Sequence, residues 1–234
     1  MREITARALA GAVGGILVHE GDAPSVEHIS LDSRKMTGND LFVPIIGERA
    51  DGHDYICMAI GNGAKAVFTS RHKTEEEVQE AIFTQCKGDK EKETAAKAAA
   101  WICVPDTRKA LQDLGAYCRN MHPLPLVGIT RSVGKTTTRE MVAAALSAKY
   151  QVYKTPGNSN SQVGVPITLS EITSADEIGV LELGMSMPGE LTVIAKIAQV
   201  DMAVITNVGI THIEQLGSQE NIYHEKLTIQ DGLK

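Results

Sequence analysis

Apolar and polar positions change period several times along the chain, and those changes mark out its elements. Thr5 to Val13 is helix-compatible and is stopped by Gly14-Gly15, which predicts a short helix. Apolar stretches at Ile16 to Val18, Val26 to Leu31 and Leu41 to Ile46, separated by turn formers, predict strands. His53 to Ile60 then reads as a helix, Gly63 as its left-handed stop, and Ala66-Val67-Phe68 as a buried strand, completing a small α/β unit. Lys73 to Ala99 alternate charge with alanine and carry few large apolar groups, so solvated helices flanking a surface insertion without functional residues are expected there. Trp101 to Val104 returns to strand character. Asp106 or Thr107 caps a helix through about Asn120 with Ala110, Leu111, Leu114 and Tyr117 on its apolar side. His122-Pro123-Leu124-Pro125 reads as a linker.

Beyond the linker the pattern is strand at Leu126 to Thr130, helix at Lys135 to Ala148, then strands at Gln151 to Lys154, Gly179 to Leu183 and Ala203 to Asn207. That alternation predicts a mainly parallel sheet wrapped by helices. A last helix starts near Gln219, and because an open α/β sheet is not expected to stop there, the second domain is expected to be truncated. The expected domains are residues 1–123 and 124–234. The chain shows no internal repeat.

Composition adds limits. Hydrophobic residues make up 43% and charged residues 22%, and no apolar run approaches the roughly 18 residues that would span a membrane, so a soluble protein without a membrane span is expected. The start Met1 to Arg7 sets acid and base ahead of a glycine-interrupted apolar stretch, a poor match to a secretory signal, which points to the cytoplasm. Cys57, Cys86, Cys103 and Cys118 form no CxxC pair, so reduced structural thiols are expected in place of a zinc site or disulfide framework. A net charge of -6 disfavours non-specific nucleic-acid binding and leaves any anionic ligand to a local basic pocket.

The candidate chemistry begins at Leu126-Val127-Gly128-Ile129-Thr130-Arg131-Ser132-Val133-Gly134-Lys135-Thr136-Thr137-Thr138, where a glycine-lysine-threonine turn joins an apolar strand to a helix. A nucleotide phosphate loop requires this context: backbone N–H groups and the helix N-terminus meet the phosphates, Lys135 bridges the outer ones and the Thr136 hydroxyl ligates magnesium. The alternative is a glycine turn with an exposed lysine. The general G-x-x-x-x-G-K-[ST] pattern asks for glycine at 129, where this chain has isoleucine.

Several further motifs follow in order. They are Gly157-Asn158-Ser159-Asn160-Ser161-Gln162-Val163-Gly164-Val165-Pro166, then Leu181-Glu182-Leu183-Gly184-Met185-Ser186-Met187-Pro188-Gly189-Glu190, and then Thr206-Asn207-Val208-Gly209-Ile210-Thr211-His212-Ile213-Glu214. Leu216-Gly217-Ser218 through Glu225-Lys226 closes the series. With the phosphate loop, these resemble the central domain of the Mur ligases, ATP-dependent amide ligases that build peptidoglycan precursors. Asp32-Ser33-Arg34-Lys35, Gly38 to Val43 and Gly47 to Asp54 resemble the uridine-nucleotide-binding domain of the same family. The resemblance covers about residues 1–72 and 101–234. The Gly157 to Pro166 and Gly184 to Glu190 stretches favour the branch that adds D-alanyl-D-alanine over the branch that adds the third amino acid. Mur loops resemble T-G-x-x-G-K-[ST], with glycine where this chain has Arg131, a side chain expected to impede phosphate approach.

The resemblance implies the fold class α/β, with a small uridine-nucleotide-binding α/β domain before a truncated P-loop ATPase domain. It implies ATP and Mg2+, with UDP-N-acetylmuramoyl-tripeptide and D-alanyl-D-alanine as substrates, no nucleic acid, and a monomer. ATP is expected at Ser132, Val133, Gly134, Lys135, Thr136, Thr137 and Asn207, and metal at Thr136, Glu182, His212 and Lys226. Lys135, His212 and Lys226 are the expected catalytic residues, Lys226 as a carbamate formed with carbon dioxide. Substrate is expected at Ser33, Arg34, His53, Asn158 and Asn160. Each has a plainer reading. Glu182 is a solvated acid at a strand end, His212 a structural imidazole, Lys226 a surface charge, and Asn158 and Asn160 turn formers. Arg34 is a surface ion pair, Ser33 a turn hydroxyl and His53 a helix cap. The remaining functional alternatives are the third-amino-acid-adding ligase, a folate-type ligase, which the uridine-domain pattern disfavours, and an inert nucleotide-binding module. As a truncated chain it is expected to bind substrate without forming product.

Overall fold

The computed structural model describes residues 3–22, 25–86 and 88–234, with residue 135 described only in its backbone. The chain divides into two compact units, Met1–Leu114 and Gly115–Lys234.

In the first unit, α1 (Ala6–Val13) starts at Thr5, whose hydroxyl accepts the Ala8 N–H, and ends at left-handed Gly14. The strands are β1 (Ile16–His19), β2 (His28–Ser30), β3 (Asp40–Phe42), β4 (Ala64–Thr69) and β5 (Ala100–Cys103). They form one sheet in the order β1-β5-β4-β3-β2, parallel except for β1 against β5. A 3-10 turn, Gly52–Tyr55, leads into α2 (Ile56–Gly61), and α3 (Glu75–Cys86) and α4 (Lys90–Ala98) connect β4 to β5. The third strand is shorter than the apolar run 41–46 predicts, because Pro44 has no N–H for the ladder.

The expectation of purely solvated helices over 73–99 is corrected here. Val78, Ala81, Ile82 and Cys86 recur at helical spacing on α3 and are buried, as is Ala96 on α4, packing into the cluster that holds Phe42, Val67 and Trp101. Charge along the segment masked a narrow apolar stripe. All four cysteines are free thiols.

The helix α5 (Thr107–Met121) contains the division between the units and is capped by Asp106, whose carboxylate accepts the N–H groups of Arg108 and Lys109. The second unit continues as β6 (Leu126–Thr130), α6 (Lys135–Leu146), β7 (Val152–Lys154), α7 (Gly164–Glu171), β8 (Ile178–Glu182), α8 (Glu190–Ala198), β9 (Met202–Ile205), α9 (Ile213–Leu216) and α10 (Gln219–Leu227). Its four strands are all parallel, in the order β7-β8-β6-β9. Successive residues of β6 and β8 alternate between two cores, Leu126 and Leu181 facing one and Val127, Ile129 and Val180 the other. The expected linker is tied down: Arg119, 1% exposed, donates to the carbonyls of His122, Leu124, Ala198 and Gln199.

Candidate functional site

In a parallel open sheet all strands end on one edge, and the second unit's candidate residues lie along it. Ile129 pairs with Glu182 and Thr130 with Ile205, so the ends of β6, β8 and β9 are neighbours. From Thr130 the chain turns through residues 131–134 into α6. Gly134 takes φ +77°, a left-handed conformation that glycine adopts at little cost. No side chain caps α6. The first-turn N–H groups of Lys135, Thr136 and Thr137 therefore have no intrahelical acceptor, and the positive end of the helix dipole lies there. Thr136 and Thr137 are exposed, while the Lys135 side chain lies outside the described residues.

The preceding loop is braced by the chain after β9. The Ser132 and Val133 N–H groups both donate to Asn207 Oδ1, at 3.1 and 3.3 Å, and Asn207 Nδ2 returns a bond to the Val133 carbonyl. Gly209 N–H donates to Ser132 Oγ at 2.9 Å, and the Thr211 hydroxyl donates to the Ser132 carbonyl. Two of the N–H groups expected to meet phosphate are thus engaged by Asn207, itself an expected nucleotide ligand. Arg131 curls back over this loop. Its guanidinium donates to the hydroxyls of Thr138 and Thr206 and lies so near Gly134 that a Cβ there would collide with it.

Glu182 is 2% exposed at the end of β8. Its Oε1 accepts from Asn160 Nδ2 at 2.6 Å and its backbone N–H donates to Thr155 Oγ1 at 3.0 Å. Glu182 Oε2 has no hydrogen-bond partner among the described residues, and neither has the buried hydroxyl of Thr130. Such orphaned oxygens at adjacent strand ends fit a cation or its water. Asn160 is fixed further by Gly184, whose N–H donates to the Asn160 carbonyl and whose bare Cα leaves room for the Asn160 amide. Asn158 is exposed and accepts the Asn160 N–H through its carbonyl.

His212 starts α9 at φ +66°, a backbone conformation that non-glycine residues rarely hold away from constrained sites. Lys226 is 3% exposed on α10, which does not agree with its reading as a surface charge. Among the described residues no three His, Cys, Asp or Glu side chains gather as a metal-holding group. A cation at Glu182 must therefore draw most of its oxygens from substrate and water, as magnesium commonly does. Sequence reasoning missed Arg139, buried on α6 beside Glu182, and Glu225, which caps α8 from α10. No sequence signal sets Arg139 apart from a surface arginine except its position four residues after Lys135 on one helix face.

The first unit carries an open cavity of about 540 Å³ walled by Leu31, Ser33, Arg34, Phe42, Tyr55 and Met58 among others. Asp32 holds Arg34 in a two-pronged ion pair at 2.8 and 2.9 Å, and this bonding keeps the Asp32 carboxyl far below the usual carboxylate range. Ser33 is nearly buried, with its carbonyl accepting from Asn62 Nδ2. His53 does not line this cavity. It is wholly buried, with Nδ1 against Asp51 Oδ1 at 2.6 Å and Nε2 accepting the Ser70 N–H at 3.0 Å, so both ring nitrogens are already committed. Its expected cap role falls to Asp51, whose carboxylate accepts the His53 N–H.

Among the described residues no helix is long and apolar enough to cross a membrane. Two family models match the chain: the Mur ligase family catalytic domain over residues 25–118 and the Mur ligase middle domain over 129–234. The first match runs through 73–99, which the sequence motifs alone had left outside. A UDP-N-acetylmuramoyl-tripeptide-D-alanyl-D-alanine ligase of Bacillus subtilis is 37% identical over 98% of this chain and 46% of its own length, and one of Treponema pallidum is 38% identical over 88% and 43%. A crystal structure of MurF from Acinetobacter baumannii matches all of the chain and 47% of its own at a TM-score of 0.85 and 30% identity. MurF ligase from Thermotoga maritima in complex with ADP matches 89% of the chain and 44% of its own at a TM-score of 0.72 and 32% identity. The chain spans about half the length of the curated relatives it matches. With a glycine-lysine-threonine turn between strand and helix, an acid on the adjoining strand and both family models in sequence order, the chain belongs to the Mur ligase family.

Proposed function

We propose that the protein is an ATP-dependent ligase of cytoplasmic peptidoglycan-precursor synthesis that joins D-alanyl-D-alanine to UDP-N-acetylmuramoyl-tripeptide. The observation that carries this reading is the pairing of an uncapped helix N-terminus at Gly134 with a buried acid, Glu182, that keeps one oxygen free at the neighbouring strand end. Relatives of that name support the choice of substrates, and a relative holding ADP supports the nucleotide. In this reading residues 1–123 bind the uridine end and residues 124–234 bind ATP.

When bound, magnesium-ATP would supply the phosphoryl group that converts the tripeptide carboxylate into an acyl phosphate with ADP leaving, and attack by the dipeptide amine would then form the amide with release of phosphate and a proton. The chain's own part is to position and to balance charge. The N–H groups of Gly134 to Thr137 and the Lys135 amine hold phosphate oxygens, Thr136 and Glu182 offer oxygens to the cation, and Ser132 and Val133 keep the loop in shape through Asn207. Asn158 and Asn160 face the substrate peptide. Ser33 and Arg34 bind the uridine diphosphate, Arg34 through whichever donors Asp32 leaves available, while His53 acts from behind by fixing the chain between Asp51 and Ser70.

Titration calorimetry with magnesium-ATP and with the uridine-linked muramyl tripeptide tests the proposal, and binding of both is expected. Uridine-ligand binding without ATP binding would favour a second reading, an inert nucleotide-binding module, which the Arg131 guanidinium in the phosphate loop motivates. Binding of neither would reject both.

Lys226 and His212 are proposed to complete a second cation site. The neutral Lys226 amine adds carbon dioxide and loses a proton, giving a carbamate that offers oxygen. Carbon-13 bicarbonate should give a carbamate resonance that is absent in Lys226→Ala. The same resonance persisting in that variant would reject the assignment.

A further inference from the structure

A carboxylate as buried as Glu182 is costly without a counter-charge, yet a counter-charge that donates hydrogen bonds to it also consumes the lone pairs a cation needs. Arg139 resolves this conflict by its geometry. It is 5% exposed on α6, and its Nη1 donates to the Gly157 carbonyl at 2.8 Å while standing 3.7 Å from Glu182 Oε2, close enough to pair in charge but without a hydrogen bond. The other side of the guanidinium is clamped: Nε and Nη2 donate to Glu140 Oε1 at 3.2 and 2.8 Å, and Glu140 Oε2 accepts from Lys154 Nζ at the end of β7. The turn that Arg139 holds at Gly157 leads to Asn160, which occupies the other oxygen of Glu182.

We propose that Arg139 is a positioning residue that neutralises Glu182 without occupying Oε2 and, through Gly157 and Asn160, sets the orientation in which that oxygen is offered to the nucleotide-bound cation. Arg139 lies on the helix that begins at the phosphate loop, so it also ties the loop to the acid and to the Gly157–Asn160 turn. The proposal deepens the nucleotide-binding function above and rests on it. The planar fork of arginine bonds Glu140 and Gly157 together, and a lysine in its place supplies the charge and a donor for the Gly157 carbonyl while giving up the clamp on Glu140.

The test has two arms on the protein as it exists. Without ligand, side-chain amide resonances of Asn160, identified by their loss in Asn160→Ala, report the bond to Glu182. They should stay near their wild-type positions in Arg139→Lys and move to solvent-like positions in Arg139→Met. In the second arm ATP is titrated with and without magnesium. Arg139→Met should leave magnesium-free binding within about twofold of wild type and reduce the strengthening by magnesium about tenfold or more, as loss of a partner behind a metal ligand does, with Arg139→Lys recovering most of it. Unmoved Asn160 resonances in Arg139→Met, or equal loss of ATP binding with and without magnesium, would overturn the proposal. If Arg139→Met does not fold, Arg139→Gln, which keeps a donor but not the charge, takes its place: a magnesium strengthening reduced about tenfold with magnesium-free binding retained supports the proposal, and an undiminished one overturns it. A wild-type chain that binds no ATP rejects the proposed function instead, and the ligand-free arm still judges the role of Arg139.

Discussion

Arg131 stands where the Mur loop pattern has glycine, and its surroundings show what the exchange does. The side chain folds across its own loop onto Thr138 and Thr206, and the space beside Gly134 is taken by guanidinium. A cation near phosphate is attractive, but the same volume cannot hold both. Backbone and side-chain rearrangement on a scale of ~1–3 kcal/mol opposes phosphate entry, and each ~1.4 kcal/mol is tenfold in affinity. Arg131→Gly is therefore expected to tighten magnesium-ATP binding about tenfold while leaving the uridine ligand unaffected. Calorimetry of both ligands on both forms checks it, and equal or weaker ATP binding by the glycine variant would mean that Arg131 contributes to phosphate recognition. Nothing in residue identity alone distinguishes Arg131 from Arg139. Arg131 bends over its own loop and Arg139 is buried against Glu182 and Gly157, and only their contacts separate them.

At the scale of elements, α8 begins at Gly189 without a side-chain cap of its own. Glu225 supplies one from α10, its two carboxylate oxygens accepting the N–H groups of Gly189 and Leu191 at 3.0 and 3.2 Å. A carboxylate there also complements the helix dipole. Glu225→Ala should cost about 1–2 kcal/mol in urea unfolding, with Glu225→Gln losing less; an unchanged midpoint would discount the cap. In the first unit His72 packs edge-on against Trp101 and bonds Thr69, and burial lowers its pKa below the ordinary value near 6.5. Since the folded form resists protonation more than the unfolded one, the stability it contributes is present above that ordinary value. It is lost as pH falls from there through the lower folded value. Unfolding midpoints at pH about 7.5 and about 5.5 should differ less in His72→Gln than in wild type.

For the whole molecule, the two compact units carry different candidate sites, a cavity at Ser33 and Arg34 in one and a phosphate loop at the sheet edge in the other. Hydrogen exchange separates them. A uridine diphosphate ligand should slow exchange around residues 31–34 and 52–58, whereas magnesium-ATP should slow it around 131–138 and 206–211, since ligand binding protects the amides it orders. Protection in the opposite unit by either ligand would refute the assignment of sites to domains.

Local pattern determined much of this protein. The apolar runs at 126–130 and 179–183, the glycine-lysine turn between strand and helix, and the caps at Thr5 and Asp106 are short-range features whose physics is complete within a few residues. The parallel sheet followed from strand-helix alternation, and with it the gathering of strand ends on one edge. The pattern predicts neither α7 nor α8, because mostly buried segments flanked by loops lack a sharp polar face. What only tertiary structure decided is which polar groups meet across long stretches of chain. His53 faces Ser70, Arg119 faces Ala198, Arg139 faces Gly157 and Glu182, and Glu225 faces α8. Periodicity reports which face of an element is apolar. It carries no record of which distant carbonyl or carboxylate will stand opposite a buried donor, because that pairing exists only once the sheets and helices have packed.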